Sequence, residues 1–264
     1  MQTGFQAILS PLPPIRGSAP GNYTTASSSG QSTSLKRPPK TITTFPAQDT
    51  FQALLQRLNG LGLVLNQPIF RMLTEQSHHL ITEGDVERAS ALYLLHDVNL
   101  IIENYLVNQL GLPALTIECL AQSTGGRSRP DIKYMVGNVV VLIVEFKNVN
   151  TLHDNDWTYS ALVRNGRTAK DIVKGLRRDA KTALTGNAVI LSQQAVKYSE
   201  SCPIIVLCNY QNMIVLDFAP GQRPFHNENN PVQYFFSNGQ VISHKALLLA
   251  AFLYGLEKRG QQLV

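Results

Sequence analysis

The chain has 264 residues, a formal net charge of +5 and 44% hydrophobic residues, which is typical of a globular protein. No apolar run approaches the roughly 20 residues of a membrane-spanning helix, and no secretory signal is evident at the N-terminus. We therefore expect an intracellular protein without a membrane partner. The three cysteines include no C-x-x-C pair, which favours reduced thiols over a zinc site.

Residues 1–48 are rich in Ser, Thr, Pro and Gly and contain four basic residues but no acid. They lack periodic apolar positions, which predicts a disordered basic tail. The stretch "LKRPPK" (35–40) is a candidate nuclear localisation signal, with a solvated linker as the alternative; it favours the nucleus over the cytoplasm or an organelle. We expect residues 49–264 to form a single domain.

Helical and strand patterns alternate along that domain. The helices are predicted in "DTFQALLQRLNG" (49–60), from Asp85 to Leu110, over 164–185, over 187–200, and after a Ser243 cap near the C-terminus. The strands are predicted near 115–120, 131–136, 139–147, 203–208 and 213–218, with a turn at Gly137-Asn138. This order predicts an α/β fold with a central mixed sheet flanked by helices.

Charged residues interrupt the end of a strand that is otherwise built for burial. Alternate side chains on a strand share a face, so Val141, Ile143, Glu145 and Lys147 are expected to point the same way. Two apolar residues followed by a carboxylate and an ammonium describe a core face that opens into a cleft. A second carboxylate, Asp131, lies a hairpin's length upstream.

The register of the hairpin decides whether Asp131 joins this cleft. A plain two-residue turn at 137–138 places Asp131 opposite Val144, on the other face. A three-residue loop, or a bulge near Pro130, pairs Asp131 with Glu145 on one face instead. The site therefore requires a one-residue irregularity in the hairpin.

Two adjacent carboxylates repel each other unless one is protonated or a cation lies between them. Mg²⁺ binds through one or two carboxylates and keeps several waters, so we expect a Mg²⁺ site in which Mn²⁺ can substitute. Lys147, beside such a metal, is placed to orient or deprotonate a water.

Several motifs together resemble one enzyme superfamily. "RPD" (129–131) followed by "EFK" (145–147) resembles the PD-(D/E)xK, or restriction-endonuclease-like, nucleases. The order of helix, three strands, helix and strand is similar to the core of that superfamily. "QAVKY" (194–198) looks like the Q-x-x-x-Y element of its RecB-like members. The resemblance covers roughly residues 85–220.

The resemblance implies a role for each matching position. Asp131, Glu145 and the carbonyl of Phe146 would hold the metal, and Lys147 would be the catalytic lysine. A carboxylate on the preceding helix is also expected, and Glu103 is the first candidate because it shares a helix face with several leucines. Asp97 and Glu87 are the alternatives. Gln194 and Tyr198 would line the cleft.

The segment 164–181 holds seven basic and two acidic residues. Such a cluster suits an anionic partner, and Arg177, Arg178 and Lys181 would hold backbone phosphates. A solvated helix face is the alternative. We therefore predict a metal-dependent endo- or exonuclease that acts on nucleic acid, with DNA favoured and 5′-phosphate products implied by the resemblance. The alternatives are an inactive nucleic-acid-binding module on the same fold and an intracellular protein-interaction domain.

Overall fold

The structure of the protein is a computed structural model. It describes residues 2–17, 23–26, 36–39, 42–44, 65–69, 79–108, 110–111, 115–119, 130–161, 182, 184–218 and 232–260. The helix predicted at 49–60 lies outside these ranges. So does the basic segment 164–181, including Arg177, Arg178 and Lys181.

Seven of the described strands form one mixed sheet. The eleven described strands are β1 (Gln2–Thr3), β2 (Arg16–Gly17), β3 (Ile42–Thr44), β4 (Pro68–Ile69), β5 (His79–Leu80), β6 (Leu115–Cys119), β7 (Ile132–Val136), β8 (Val139–Phe146), β9 (Ile204–Cys208), β10 (Met213–Asp217) and β11 (Val232–Ser237). The order across the sheet is β3-β11-β10-β9-β8-β7-β6. The pairs β8–β9 and β3–β11 are parallel, and the other neighbours are antiparallel.

Helices cover both faces of this sheet. They are α1 (Gly4–Leu9), α2 (Glu83–Ser90), α3 (His96–Asn108), α4 (Asp154–Ala161), α5 (Gly186–Tyr198) and α6 (His244–Lys258). A π-helical segment, Ala91–Leu95, joins α2 to α3. The predicted Ser243 cap of α6 is confirmed, since its side chain accepts a hydrogen bond from the backbone of Ala246 at 3.1 Å. Within the described ranges, no helix is both long and apolar enough to cross a membrane.

The two faces of the sheet belong to two separate hydrophobic cores. The first core lies beneath α1, α2, α3 and α6, and the second beneath α4 and α5. Successive residues of β9 enter the two cores alternately, as expected for a central strand that is covered on both sides. The prediction of an α/β fold with a mixed sheet flanked by helices is thus confirmed.

The prediction of a disordered tail over residues 1–48 is wrong for residues 2–17 and 42–44. A capping box starts α1: Thr3 and Gln6 exchange side-chain-to-backbone hydrogen bonds at 3.0 and 3.3 Å. Ile8 then enters the first core, and Ile42, on β3, enters the second. The average composition of residues 1–48 did not reveal these contacts. A few apolar residues are enough to order a segment when the rest of the chain supplies the surface on which they pack.

We therefore expect Ile8→Ala to lower the free energy of unfolding by about 2–5 kcal/mol, the usual cost of emptying a fully buried aliphatic site. Leu9→Ala is the matched control because Leu9 is 48% exposed, whereas Ile8 is 1% exposed. Urea unfolding of the two variants measures the difference. Equal midpoints would show that α1 does not pack on the domain.

Candidate active site

The hairpin β7–β8 contains the irregularity that the site requires. Next to the turn, Val136 pairs with Val139 and Met135 with Val140, but Tyr134 then pairs with Leu142. Val141 is therefore an extra residue, a β-bulge, and the shifted register places Asp131 opposite Glu145. The predicted one-residue irregularity is confirmed, although it lies in the middle of β8 rather than in the turn or near Pro130.

The bulge also changes which residues share a face. Val141 and Leu142 both enter the first core, whereas Ile143 enters the second. The expectation that Val141 shares a face with Ile143 and Glu145 is wrong, because a bulge interrupts the alternation of side chains. From Leu142 onward the alternation is regular and directs Glu145 to the side of Ile143.

The C-terminal end of α6 contacts the bulge at two consecutive backbone carbonyls, those of Val140 and Val141. Arg259, just after α6, donates a hydrogen bond from Nε to the carbonyl of Val140 at 3.0 Å. Gly255 lies so close to the bulge that a Cβ on this residue would be 2.1 Å from the carbonyl oxygen of Val141. The glycine thus allows the backbone of α6 to approach the one irregular point of β8.

Asp131 is fixed against the end of β8. Its Oδ2 accepts a hydrogen bond from the backbone N–H of Phe146 at 2.6 Å. Burial raises the pKa of Asp131 to about 7, and the charges of Glu145 and Glu83 act in the same direction. The Phe146 hydrogen bond and the Lys147 ammonium oppose this shift. Without a bound metal, this carboxyl therefore titrates near neutral pH.

Lys147 lies between two carboxylates. Its Nζ donates to Oε1 of Glu145 at 2.9 Å and lies 3.4 Å from Oε1 of Glu83. Its backbone N–H donates to the carbonyl of Cys208 at 2.8 Å, which anchors the residue to β9. Burial alone would lower the pKa of Lys147, but the neighbouring carboxylates raise it above its ordinary value. Lys147 is therefore an ammonium at neutral pH.

The raised pKa of Asp131 predicts a pH-dependent stability. The unfolded chain releases this proton near pH 3.8, whereas the native state keeps it up to about pH 7. Unfolding thus releases a proton between these values, and the free energy of unfolding falls as the pH rises through this window. At ~1.36 kcal/mol for each pKa unit, the penalty above pH 7 is at most about 4 kcal/mol.

Asp131→Asn removes that titration and keeps an oxygen for the Phe146 N–H. In EDTA, the variant should be more stable than the wild type at pH 8, and the difference should vanish towards pH 4. Thermal melts of the two proteins across pH 4–8 measure this difference. A stability difference that does not depend on pH would contradict the assignment of the raised pKa to Asp131.

The acidic neighbour of Lys147 on the preceding helix is Glu83, which the sequence analysis missed. A capping box marks the first turn of α2, since Thr82 and Asp85 exchange hydrogen bonds at 2.9 and 3.3 Å. The T-x-x-D sequence at 82–85 is a capping signature that marks the start of a helix. It predicts Glu83 in the first turn of the helix that precedes the strands. The predicted start at Asp85 excluded it.

None of the three predicted helix carboxylates has a described contact with Asp131, Glu145 or Lys147. Glu103 is exposed, and the core stripe of α3 runs through Val98, Ile101, Ile102, Tyr105 and Leu106 instead. Asp97 is buried, but it forms an ion pair with Lys245 of α6 at 2.6 Å. Glu87 is exposed. The prediction that Glu103 lies on the inward face of its helix is therefore wrong.

Gln194 and Tyr198 are buried on the inner face of α5, over the second core. Oε1 of Gln194 has no hydrogen-bond partner among the described residues, and neither has Oε2 of Glu145. Buried polar atoms of this kind usually have a partner. The role of Gln194 and Tyr198 in lining a cleft stays a prediction.

The donor set at the end of β8 fits a hard divalent cation. No group of three His, Cys, Asp or Glu side chains in the described ranges is arranged as a set of metal ligands. Mg²⁺, however, needs only one or two carboxylates besides water and substrate oxygens. Asp131 and Glu145 are two carboxylates at one end of β8, and Oε2 of Glu145 is a buried acceptor without a described partner.

A cavity of about 740 Å³ lies elsewhere, where residues 11–15 face the loop before α6. Asp131, Glu145 and Lys147 do not line it. Geometry and charge at the end of β8, rather than cavity size, therefore identify the candidate site. Comparison of the chain with protein-family models, with curated proteins and with solved structures finds no match.

Proposed function

We propose that the protein is a metal-dependent nuclease that hydrolyses phosphodiester bonds in nucleic acid, with DNA as the favoured substrate. One observation carries the proposal: the bulge at Val141 places Asp131 opposite Glu145, with Lys147 in contact with Glu145. A bulge that brings two like charges together at the end of a buried strand opposes stability, so we infer that it serves function.

The order of strands supports a restriction-endonuclease-like core. Strands β6, β7 and β8 form an antiparallel meander, and β9 adds to β8 in parallel after α5. This is the order of helix, three strands, helix and strand on which the resemblance to the PD-(D/E)xK superfamily rests. Three further strands, β10, β11 and β3, extend the sheet beyond that core.

In this proposal Asp131 and Glu145 hold Mg²⁺ or Mn²⁺. The bound ion would lower the pKa of its water and neutralise charge that develops on the phosphate. Lys147 stays protonated, because its carboxylate neighbours raise its pKa. It therefore acts as a hydrogen-bond donor that orients the phosphate or the water, and the interpretation of Lys147 as a base is less favoured.

Cleavage assays test the proposal. Purified protein is incubated with end-labelled single- and double-stranded DNA and RNA in Mg²⁺, Mn²⁺ or EDTA. We expect metal-dependent cleavage that leaves 5′-phosphate ends, and no cleavage in EDTA. A thermal shift in Mn²⁺ gives a readout independent of activity: at about 100 times the dissociation constant, binding adds ~2.7 kcal/mol of stability.

The outcomes separate the alternatives. Binding of nucleic acid without cleavage, at every metal tested, would identify an inactive binding module. The absence of both binding and cleavage, together with a melting temperature indifferent to Mn²⁺, would leave the protein-interaction domain. In the proposal, Arg177, Arg178 and Lys181, which lie outside the described residues, supply the positive charge for such binding.

A further inference from the structure

The candidate site offers a polyanion little attraction by itself. Asp131, Glu145 and Glu83 are acidic, and Lys147 is the one cation in contact with them among the described residues. Even with one divalent cation bound, these four side chains give no net positive charge. Each phosphate of a nucleic acid adds a negative charge, so a polynucleotide needs further cations near the site.

Strand β2 brings a basic residue to this end of the sheet. Gly17 lies against the loop that follows Lys147, since a Cβ on Gly17 would be 3.9 Å from Cγ1 of Val149. Val149 is two residues after Lys147, and two residues of chain span at most about 7 Å. Arg16 directly precedes Gly17 and is exposed. Its guanidinium is therefore available to a ligand that approaches the end of β8.

His79 reaches the same place along another part of the chain. Strand β2 pairs with β5 in parallel, with Arg16 opposite His79, and neighbouring strands lie ~4.8 Å apart. Leu80 enters the first core, so the exposed side chain of His79 points to the other side, into solvent. His79 is also four residues before Glu83, whose Oε1 lies 3.4 Å from Nζ of Lys147. Two stretches of chain thus hold Arg16 and His79 side by side near the candidate site.

The backbone that carries Arg16 is fixed on both sides. Upstream, the buried Tyr210 donates a hydrogen bond from its hydroxyl to the carbonyl of Pro13 at 3.0 Å. Downstream, a Cβ on Gly17 would be 3.3 Å from Nε2 of Gln211, in the turn between β9 and β10. No acid among the described residues forms an ion pair with Arg16. An anion can therefore bind there without displacing a described counterion.

We propose that Arg16 and His79 bind a backbone phosphate of the nucleic acid, close to the phosphate that is cleaved. This inference rests on the proposed nuclease function. The guanidinium presents a planar fork of N–H donors that matches two phosphate oxygens, and the imidazole supplies a further N–H from the adjacent strand. Such contacts position the substrate backbone and give affinity without reading sequence. The N-terminal segment would then form part of the substrate-binding surface.

Binding measurements in EDTA test the inference without cleavage. The fluorescence anisotropy of a labelled 20-nucleotide single strand is followed over a salt series. Arg16→Gln should weaken binding and reduce the log–log salt slope by about 0.7, because one phosphate contact is lost. Arg16→Lys keeps the charge and should retain the wild-type slope, although it loses the bidentate geometry.

Lys36→Gln is the matched control, because it removes the same charge at the other end of the sheet. Lys36 forms an ion pair with Glu200. The next residue, Ser201, accepts a hydrogen bond from Arg259, which also donates to the carbonyl of Val140 near the start of β8. This control should keep the wild-type slope. Equal losses in Arg16→Gln and Lys36→Gln would indicate only general attraction to a basic segment and would overturn the inference.

A double-mutant cycle tests whether both side chains bind one phosphate. His79→Ala should weaken binding several-fold in the wild type and have a smaller effect in the Arg16→Gln background, because the two contacts are coupled. Strictly additive losses would overturn the shared site.

Kinetics separate this inference from the nuclease proposal. Arg16→Gln should raise KM for the 20-nucleotide strand several-fold with little change in kcat, and should leave KM for bis(p-nitrophenyl) phosphate unchanged. A wild-type salt slope in a folded Arg16→Gln protein would overturn the inference even if cleavage is normal. So would a wild-type protein that binds no nucleic acid. A reduced slope in Arg16→Gln, without cleavage by the wild type, would refute the nuclease proposal alone.

Discussion

Lys147→Ala should reduce metal-dependent cleavage by roughly 10²–10³-fold, the usual effect of removing one preorganised donor from a site of developing negative charge. The ammonium is fixed at 2.9 Å from Glu145 and is anchored through its backbone to β9. Water cannot replace it with the same orientation. Single-turnover assays at saturating Mg²⁺ measure the effect on the chemical step.

The same substitution leaves Glu145 buried without its counterion, which is expected to cost up to about 3–5 kcal/mol of stability. Asp131→Asn separates activity from stability, because it removes a charge that is unfavourable in the native state. That variant should also lose cleavage, yet melt at a higher temperature than the wild type at pH 8 in EDTA. Full activity in either folded variant would refute the catalytic role of the substituted residue.

Gly255→Ala should destabilise the protein by about 1–3 kcal/mol or more, as overpacking against a fixed backbone does. The new Cβ would be 2.1 Å from the carbonyl oxygen of Val141 and 3.0 Å from its carbon. Either α6 moves away or the bulge flattens. Because ~1 kcal/mol shifts the melting temperature by about 2–4 °C in a domain of this size, the loss is readily measured.

Flattening the bulge would also move Asp131 away from Glu145, so cleavage should fall by more than the loss of folded protein explains. Gly84→Ala is the matched control: it makes the same substitution in helix α2, where the nearest atoms lie 3.8 Å away. Gly84 is the second residue of α2, where the preference for alanine is weaker than in a helix interior, so the control should be close to neutral. Equal effects of the two substitutions would refute the coupling between α6 and the bulge.

The need for an irregularity followed from the sequence, but its position did not. From Val139 to Val144 every residue is aliphatic, so no pattern within β8 distinguishes the bulged residue from its neighbours. The contacts that distinguish the bulge come from the end of α6, where Gly255 and Arg259 lie against consecutive carbonyls of β8. Gly255, inside a long apolar helix, is the sequence feature that permits this contact. The sequence alone does not show which strand it contacts.

Local sequence context also decided which of the charged residues near the end of β8 could be singled out from the sequence. Glu145 and Lys147 were predictable because a charge at the end of an apolar strand is unusual. Glu83 was missed because it lies half-exposed in a polar stretch where an acid at a helix N-terminus is ordinary. The choice of Glu103 failed because a helical wheel gives several similar faces, and tertiary packing selects one of them.

Residues near the N-terminus contact elements near the C-terminus, both in the sheet and in the helices that cover it. Ser243 donates a side-chain hydrogen bond to the carbonyl of Ile8, and β3 pairs with β11. During synthesis, α1 and β3 therefore leave the ribosome before α6 and β11, with which they form these contacts. Because contacts between distant residues are slow to form, closure of these ends is expected to limit the folding rate. Until then part of the surface that buries Ile8 and Ile42 is missing, so we expect this segment to be more sensitive to proteases than in the folded protein.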